Sequence, residues 1–244
     1  MILIRSLLPG ALVAALVLGG CDGLGSDEGG RRDSARDFPQ ADRPVSPIVS
    51  VRYSSEEARD KLGEAHEIMD LAHVAPGMTV ADIGAGEGYY TVRLAKRVGK
   101  DGRVLAEDIM AEVIDALGQR INRENWGNVS VKLGAPDNPK LPENSFDRIF
   151  MVHMYHEIEE PYAFLWHMRP ALKPGGEVIV VDSNRPTSEH GTPPKLLACE
   201  FASVGYRLEE MIPRPASGSY FARFRAIGAR PAPEDIGPCM LVRE

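Results

Sequence analysis

A run of alternating glycines directly after a short apolar segment most restricts how this chain can fold. Residues 80–83 read Val-Ala-Asp-Ile, which suits a buried parallel strand, and glycines follow at positions 84, 86 and 88. Helical spacing of apolar residues begins at once and stops at Gly99, a residue typical of helix C-termini. Small residues in such a strand, turn and helix let the backbone approach a nucleotide-like ligand closely. The segment therefore predicts an α/β fold with a ligand site at the end of this strand.

One acidic residue narrows the choice of ligand. Asp82 lies two residues before the first glycine, where its carboxylate would repel a pyrophosphate and attract a ligand that carries an ammonium group. The complete pattern acid-x-Gly-x-Gly-x-Gly resembles motif I of the class I S-adenosylmethionine (SAM)-dependent methyltransferases. A nicotinamide-type site is the alternative, although its fingerprint asks for glycine or alanine where Tyr89 stands.

The resemblance implies both a fold and a cofactor. The fold is a Rossmann-like α/β domain of the class I methyltransferase type, with a seven-stranded, mostly parallel sheet and helices on both faces. The cofactor is SAM, and Asp82 then serves the amino group of its methionine part, often through water. The turn that wraps this part is formed by Gly84, Ala85, Gly86 and Gly88.

Two further acids follow predicted strands. The second strand ends in Glu107-Asp108-Ile109. The resemblance assigns Asp108 to the ribose hydroxyls, with Ile109 beside it among the cofactor residues, whereas Glu107 is expected on the other side of the strand. After the third strand, Asp137 is the candidate for the adenine amine, in a loop that is atypical of the family.

Two loop sequences extend the resemblance along the chain. Residues 141–147, Leu-Pro-Glu-Asn-Ser-Phe-Asp, lead into a predicted fourth strand, and residues 172–176, Leu-Lys-Pro-Gly-Gly, lead into a fifth. Both sequences are similar to the corresponding loops of the family. Strands near 206–211 and 220–227 are then expected to be the antiparallel pair that closes the sheet, and the resemblance covers about residues 62–228.

The loop after the fourth strand is where chemistry is expected. Ligands of an open α/β sheet lie beyond the carboxyl ends of its strands, so residues 153–160 should face the methyl group. His156 or Tyr155 is the candidate base if the acceptor must lose a proton; the alternative is that both only line the pocket. His153, His156 and Glu157 do not have the spacing of helical zinc motifs, so no metal is predicted.

Charge and composition restrict the acceptor. The 244 residues carry a net charge of -7 without a basic run, which argues against a nucleic-acid partner. A small-molecule acceptor is favoured because no added domain or basic groove is visible. Two alternatives stay open. The sequence at 88–91, Gly-Tyr-Tyr-Thr, is similar to protein repair methyltransferases that act on isoaspartate, and a membrane-tethered binding module could have kept the fold without catalysis.

The N-terminus predicts an exported lipoprotein. Residues 1–20 resemble a signal peptide, and Leu-Gly-Gly-Cys at 18–21 resembles a lipobox that would place lipidated Cys21 in the membrane at the periplasmic face of a bacterial envelope. Residues 21–48 read as a flexible tether, 49–230 as the methyltransferase domain and 231–244 as a tail over the surface. If the signal is not used, the protein is cytoplasmic. Export conflicts with the supply of SAM, which is made in the cytosol.

Two cysteines remain besides Cys21. Cys199 and Cys239 would be permitted to bridge in an oxidising compartment, but the sequence does not show that they meet. A disulfide and two unrelated thiols both stay open. The oligomeric state is equally open.

Overall fold

The computed structural model describes residues 30–48 and 55–240. The chain divides into a unit of residues 1–33 and a unit of residues 34–244, and the sheet and its α-helices belong to the second. The predicted signal peptide and the lipobox at Cys21 lie outside the described residues. Within the described ranges, no helix has the length and apolar composition needed to cross a membrane.

A seven-stranded sheet forms the centre of the domain. Its strands are β1 (Thr79–Ile83), β2 (Arg103–Asp108), β3 (Val129–Leu133), β4 (Phe146–Val152), β5 (Leu172–Ser183), β6 (Tyr206–Arg214) and β7 (Ser219–Ala226). Their order is β3-β2-β1-β4-β5-β7-β6. Strands β1 to β5 pair in parallel, whereas β7 is antiparallel to β5 and β6. This confirms the predicted class I methyltransferase fold.

Within the ranges that the structure describes, six helices connect and cover these strands. They are α1 (Glu56–Lys61), α2 (Glu64–Leu71), α3 (Tyr89–Val98), α4 (Ala111–Arg123), α5 (Pro161–Met168) and α6 (Pro194–Ser203). Short 3-10 turns lie at Asp33–Ala35, Tyr155–Glu157, Arg169–Ala171, Thr187–Glu189 and Pro233–Asp235. Gly63, with a φ of 66°, separates α1 from α2, a backbone conformation that glycine adopts without steric cost.

Apolar side chains fill both faces of the sheet, as a parallel sheet between helices requires. On one face, α5 and α6 pack on β4 and β5; on the other, α2 and α3 pack on β1 and β4. The sequential order of the strands reverses between β1 and β4, the place where open α/β sheets bind ligands. Since β1, β2, β4 and β5 are parallel, their carboxyl ends share one edge, and the site is expected there.

Residues 34–48, predicted as part of a flexible tether, instead pack against the domain. Phe38 is 6% exposed and meets the Trp166 ring edge-on at 5.4 Å between centroids. Arg43 donates from Nε to Glu200 Oε1 at 2.8 Å, and both side chains are buried. Composition alone suggested a tether because this segment has few apolar residues and finds its partners more than a hundred positions away.

The predicted surface tail is also attached to the domain. Cys239 is 4% exposed and forms a disulfide with Cys199 in α6, which decides between the two alternatives that the sequence left open. Ile236 is buried in the same core as α5 and α6. The folded unit therefore extends beyond the predicted 49–230 at both ends.

Candidate functional site

The glycine turn has a left-handed backbone at each of its three glycines. The φ angles of Gly84, Gly86 and Gly88 are 65°, 55° and 89°, in the region that favours glycine. A Cβ on Gly84 would lie 3.0 Å from Met154 Cγ, and one on Gly88 would lie 2.4 Å from Leu117 Cδ1. A Cβ on Gly86 would meet nothing within 4 Å. The outer two glycines are thus needed for packing within the chain, and Gly86 is the one that borders open space.

Asp108 joins this turn to the end of β2. Its Oδ2 accepts from the Gly86 amide at 3.1 Å, and its Oδ1 accepts from the Met110 amide at 3.0 Å. Each carboxylate oxygen has two lone pairs, so both retain capacity for a ligand hydroxyl. Ala85 and Ile109 flank these contacts and are half-buried. The structure therefore brings together the predicted ribose acid and the predicted methionine turn.

Asp82 lies beneath the turn, 3% exposed, at the carboxyl end of β1. Thr91 in α3 donates its hydroxyl to Asp82 Oδ2 at 2.6 Å. Burial raises the pKa of Asp82 to about 6, because the charged form loses hydration. An ammonium group that arrives at this carboxylate would offset that cost, which is the chemistry expected for the amino group of methionine.

Glu107 is a buried acid that the sequence did not identify as part of the site. Its side chain is 1% exposed, burial raises its pKa well above the usual range, and the Gly84 amide hydrogen-bonds to it. Among the described residues no partner hydrogen-bonds its Oε1, and a Cβ on Gly134 would lie 1.5 Å from this atom. The signal for it was an acid in an apolar strand, next to the acid that the family pattern assigns.

Asp137, the predicted adenine contact, has a partner within the chain. Its side chain is 1% exposed, and the Ser34 hydroxyl donates to its Oδ2. Its burial and its internal hydroxyl donor are like those of Asp82, so the assignment of Asp137 to the adenine amine stays a prediction. The segment that occupies the carboxylate is the one that composition predicted to be a tether.

Tyr155, one of the two predicted bases, lies inside a buried network. Its hydroxyl is inaccessible to solvent and donates to Glu200 Oε2 at 2.7 Å, while Arg43 donates to the other oxygen of Glu200. Burial raises the pKa of Tyr155 well above the usual range, and the nearby Glu200 raises it further. Tyr155 is therefore a structural hydrogen-bond donor, and its geometry does not suit a base.

His156 has a different environment. Its Nδ1 lies 3.0 Å and 3.1 Å from the two carboxylate oxygens of Asp182, at the end of β5. Asp182 also accepts from the Thr192 hydroxyl at 2.7 Å and from the Ser183 amide at 2.8 Å. A carboxylate can only accept, so the Nδ1 hydrogen points toward Asp182 and the lone pair of the neutral ring lies on Nε2. Sequence analysis missed Asp182, although an acid that ends an apolar strand is the same signal that identified Asp108.

His153 has a different hydrogen-bond partner from His156. Its Nε2 lies 3.4 Å from Glu64 Oε2 in α2. Burial would raise the pKa of Glu64, but the His153 ring and the Arg59 guanidinium hold it well below the usual range. Tyr90 donates to the same carboxylate at 3.1 Å. His153 therefore belongs to the packing of α2 and α3.

Part of this chain is similar in sequence to known methyltransferases. Residues 80–176 match the family described as a methyltransferase domain. The chain is 30% identical over 128 residues to a ubiquinone/menaquinone biosynthesis C-methyltransferase, UbiE, of Hydrogenovibrio crunogenus, which covers 52% of this chain and 50% of that protein. It is 26% identical over 121 residues to a demethylmenaquinone methyltransferase of a Geobacillus strain, with 50% and 52% covered. The chain thus spans about half the length of these curated relatives.

Solved structures share the fold. A SAM-dependent methyltransferase of Aquifex aeolicus superposes with a TM-score of 0.62 at 23% identity, over 70% of this chain and 98% of that one. The (4+2)-cyclase SpnF superposes with a TM-score of 0.59 at 14% identity, over 77% and 88%. The matched family region includes the glycine turn, Asp108 and His156, and it ends before Asp182.

Proposed function

Starting from a methyltransferase domain in residues 80–176, we propose that this chain binds SAM and transfers its methyl group to a small-molecule acceptor. One observation carries the proposal. At the carboxyl ends of β1 and β2, the Asp108 carboxylate holds the Gly86 amide, and Gly86 borders open space above the buried Asp82. A turn of this kind leaves room for a ligand backbone and offers one carboxylate to an ammonium group and another to hydroxyls.

The residues present fit the cofactor part by part. Asp82 receives the amino group, directly or through water, and Asp108 receives the ribose hydroxyls. The backbone of residues 84–88 lies along the methionine part, and Ile109 lies beside the ribose acid. Bound SAM supplies an electrophilic methyl group on a sulfonium centre. The protein has to align this group with an acceptor, and alignment supplies much of the acceleration in such a displacement.

The acceptor side lies at the carboxyl ends of β4 and β5. His156 lies at this end with its Nδ1 against Asp182, and its Nε2 is the candidate base if the acceptor must lose a proton. The named relatives act in quinone biosynthesis, which supports a small organic acceptor. Their matched length does not identify the acceptor of this chain. A protein acceptor of the isoaspartate type is the second candidate, and its support is the Gly-Tyr-Tyr-Thr sequence at 88–91.

A binding module without catalysis is the candidate from another class. The same fold occurs in the (4+2)-cyclase SpnF, so the fold alone does not require methyl transfer. The glycine turn and Asp108 favour retention of the cofactor in either case. Turnover is therefore the measurement that separates an enzyme from a module.

The test uses the full-length protein. Calorimetry with SAM should show binding of about one molecule per chain, and NAD should not bind. Formation of S-adenosylhomocysteine is then followed with a panel of phenols and quinols and with an isoaspartyl peptide. Turnover with the peptide alone would favour the protein-directed alternative, and binding without any turnover would favour the module. Absence of SAM binding would reject the assignment of the turn.

Export is a separate proposal about the same chain. We infer that Cys21 is lipidated and that the domain lies outside the cytosol. The lipobox-like sequence at 18–21 supports this, and so does the Cys199–Cys239 disulfide, because disulfides persist mainly in oxidising compartments. Mass spectrometry of the protein from its native host should find a diacylglyceryl group on Cys21. An unmodified Met1 start would reject the anchor and would also remove the conflict with the supply of SAM.

A further inference from the structure

Three side chains on the acceptor side come together from separate parts of the chain. His156, Glu157 and His190 each place one potential ligand atom within 4.8 Å of the other two. His156 and Glu157 follow β4, whereas His190 lies in the loop between β5 and α6. We propose that these three side chains bind a zinc ion. The sequence did not predict a metal here because the spacing around His156 shows only two of the three.

Asp182 gives His156 the orientation that a metal ligand needs. Both oxygens of its carboxylate lie within hydrogen-bond distance of His156 Nδ1. Histidines that bind zinc donate their other ring nitrogen in this way, which fixes the ring and makes the ligating nitrogen more basic. Asp182 is inaccessible to solvent and is itself held by Thr192 and by the Ser183 amide. The hydrogen bonds that would orient His156 as a metal ligand are therefore present in the structure.

Ser46 connects the two segments that carry the ligands. Its amide donates to the His156 carbonyl at 3.3 Å, and its hydroxyl donates to the Thr187 carbonyl. The same hydroxyl accepts from the His190 amide at 3.0 Å. The His156 and His190 rings meet at 87° with their centroids 5.5 Å apart. Perpendicular rings at this distance can each direct one nitrogen at a shared ion.

The donor set favours a transition metal. Two imidazoles and one carboxylate suit Zn²⁺ and also Fe²⁺, whereas Mg²⁺ and Ca²⁺ prefer oxygen ligands alone; zinc is the ion of this group that needs no redox partner. Three protein ligands also leave zinc a fourth position for water or for a group of the substrate. A zinc ion here would lie at the carboxyl ends of β4 and β5, on the acceptor side. The idea that this ion would hold the methyl acceptor rests on the proposed function. The binding of zinc itself does not depend on it.

The test is a zinc titration of the untagged, full-length protein after treatment with a chelator. Competition with a chromophoric chelator should show about one tightly bound Zn²⁺ per chain. His190→Ala and Glu157→Gln should each weaken zinc binding by more than about tenfold, and Asp182→Asn by about ten- to a hundredfold. His190 and Glu157 are only half-buried, so these two variants are expected to fold, which circular dichroism checks.

His66→Ala is the matched control, because His66 is an exposed histidine whose ring contacts Asp70 in the same helix. It should bind zinc as tightly as the wild type. A wild type that binds no zinc overturns the proposal, as does a His190→Ala variant that binds zinc with unchanged affinity. SAM calorimetry on the same samples separates the two proposals. SAM binding without zinc binding rejects the metal site alone; zinc binding without SAM binding supports the metal site and rejects the proposed function.

Discussion

The two halves of the sheet edge are built in different ways. At β1 and β2, the site consists of one short stretch of chain, in which backbone amides and two carboxylates surround a glycine turn. At β4 and β5, side chains from separate segments form two buried groups, one of His156 with Asp182 and the other of Tyr155 and Arg43 with Glu200. The first half has open space at Gly86, whereas Tyr155, His156 and Asp182 in the second half are buried.

We infer from this difference that the two halves have different roles. A backbone turn depends little on its neighbours, so it can be kept for one cofactor while the rest of the domain changes. A side-chain network depends on every member, so it can be rebuilt for a particular acceptor or metal. Loss of a buried side chain in the histidine half should therefore affect folding, and damage at Gly86 in the glycine half should affect ligand binding.

The largest effect is expected from Glu200→Ala in the histidine half. The substitution leaves the buried Arg43 guanidinium and the Tyr155 hydroxyl without their shared partner, which should cost about 3–5 kcal/mol of unfolding free energy. Urea unfolding measures this change. Glu57→Ala is the control, since its ion pair with Lys61 is exposed and should contribute less than about 1 kcal/mol. Equal losses in the two variants would mean that the network is not buried in solution.

Gly86→Val should damage the glycine half without comparable loss of stability. The β-branched side chain would enter the open space beside the turn, so SAM affinity should fall by about a hundredfold or more, as calorimetry can measure. Gly77→Val is the control, because Gly77 also has a positive φ, 85°, and open space, but it precedes β1 at the opposite edge. Similar SAM affinities for both variants would place the cofactor elsewhere.

Asp108→Ala should have a smaller effect on the same half. The variant loses the acceptor for the ribose hydroxyls and releases the Gly86 amide, and each hydrogen bond to a charged group contributes about 1.5–3 kcal/mol. SAM should therefore bind about ten- to a hundredfold more weakly. Asp101→Ala, at an exposed acid, is the control. If SAM affinity is unchanged in Asp108→Ala, the ribose assignment is wrong.

Asp82 should give SAM binding a pH dependence. The pKa of Asp82 is about 6 in the folded chain, so SAM affinity should fall as the pH decreases through 6, by about tenfold between pH 7 and pH 5. Without ligand the sign is opposite. The unfolded chain loses this proton at a lower pH, so stability should decrease as the pH rises from about 4 to 6, by about 3 kcal/mol.

Asp82→Asn separates both effects from the titration of Glu107, a second buried acid whose pKa is raised by burial. The variant should be more stable than the wild type at pH 7 and equally stable at pH 4, while binding SAM more weakly at pH 7. Differential unfolding of the two proteins across pH 4 to 7 is the measurement. Parallel stability curves would show that Asp82 is charged and compensated without ligand.

The glycine half could be predicted from the sequence because its residues lie close together along the chain. Asp82, the glycines and Asp108 lie within 27 consecutive residues, and the strands around them have apolar runs that indicate their burial. The fold followed from the same local patterns. The histidine half could not be predicted from the sequence. The partner of His156 is 26 positions away, and nothing in the loop that contains Tyr155 indicates that this side chain is buried. Residues 34–48 were misread for the same reason.

The Arg43–Glu200 contact has a consequence for the order of folding. These residues are 157 positions apart, so this first segment of the described fold emerges early in synthesis and its partner emerges late. Contacts of such long range form slowly, because a long loop must close before they contribute. We therefore expect this early-made segment to dock late in folding. Ser46, which holds the His190 amide, belongs to the same segment, so the arrangement around His156 and His190 should also form late.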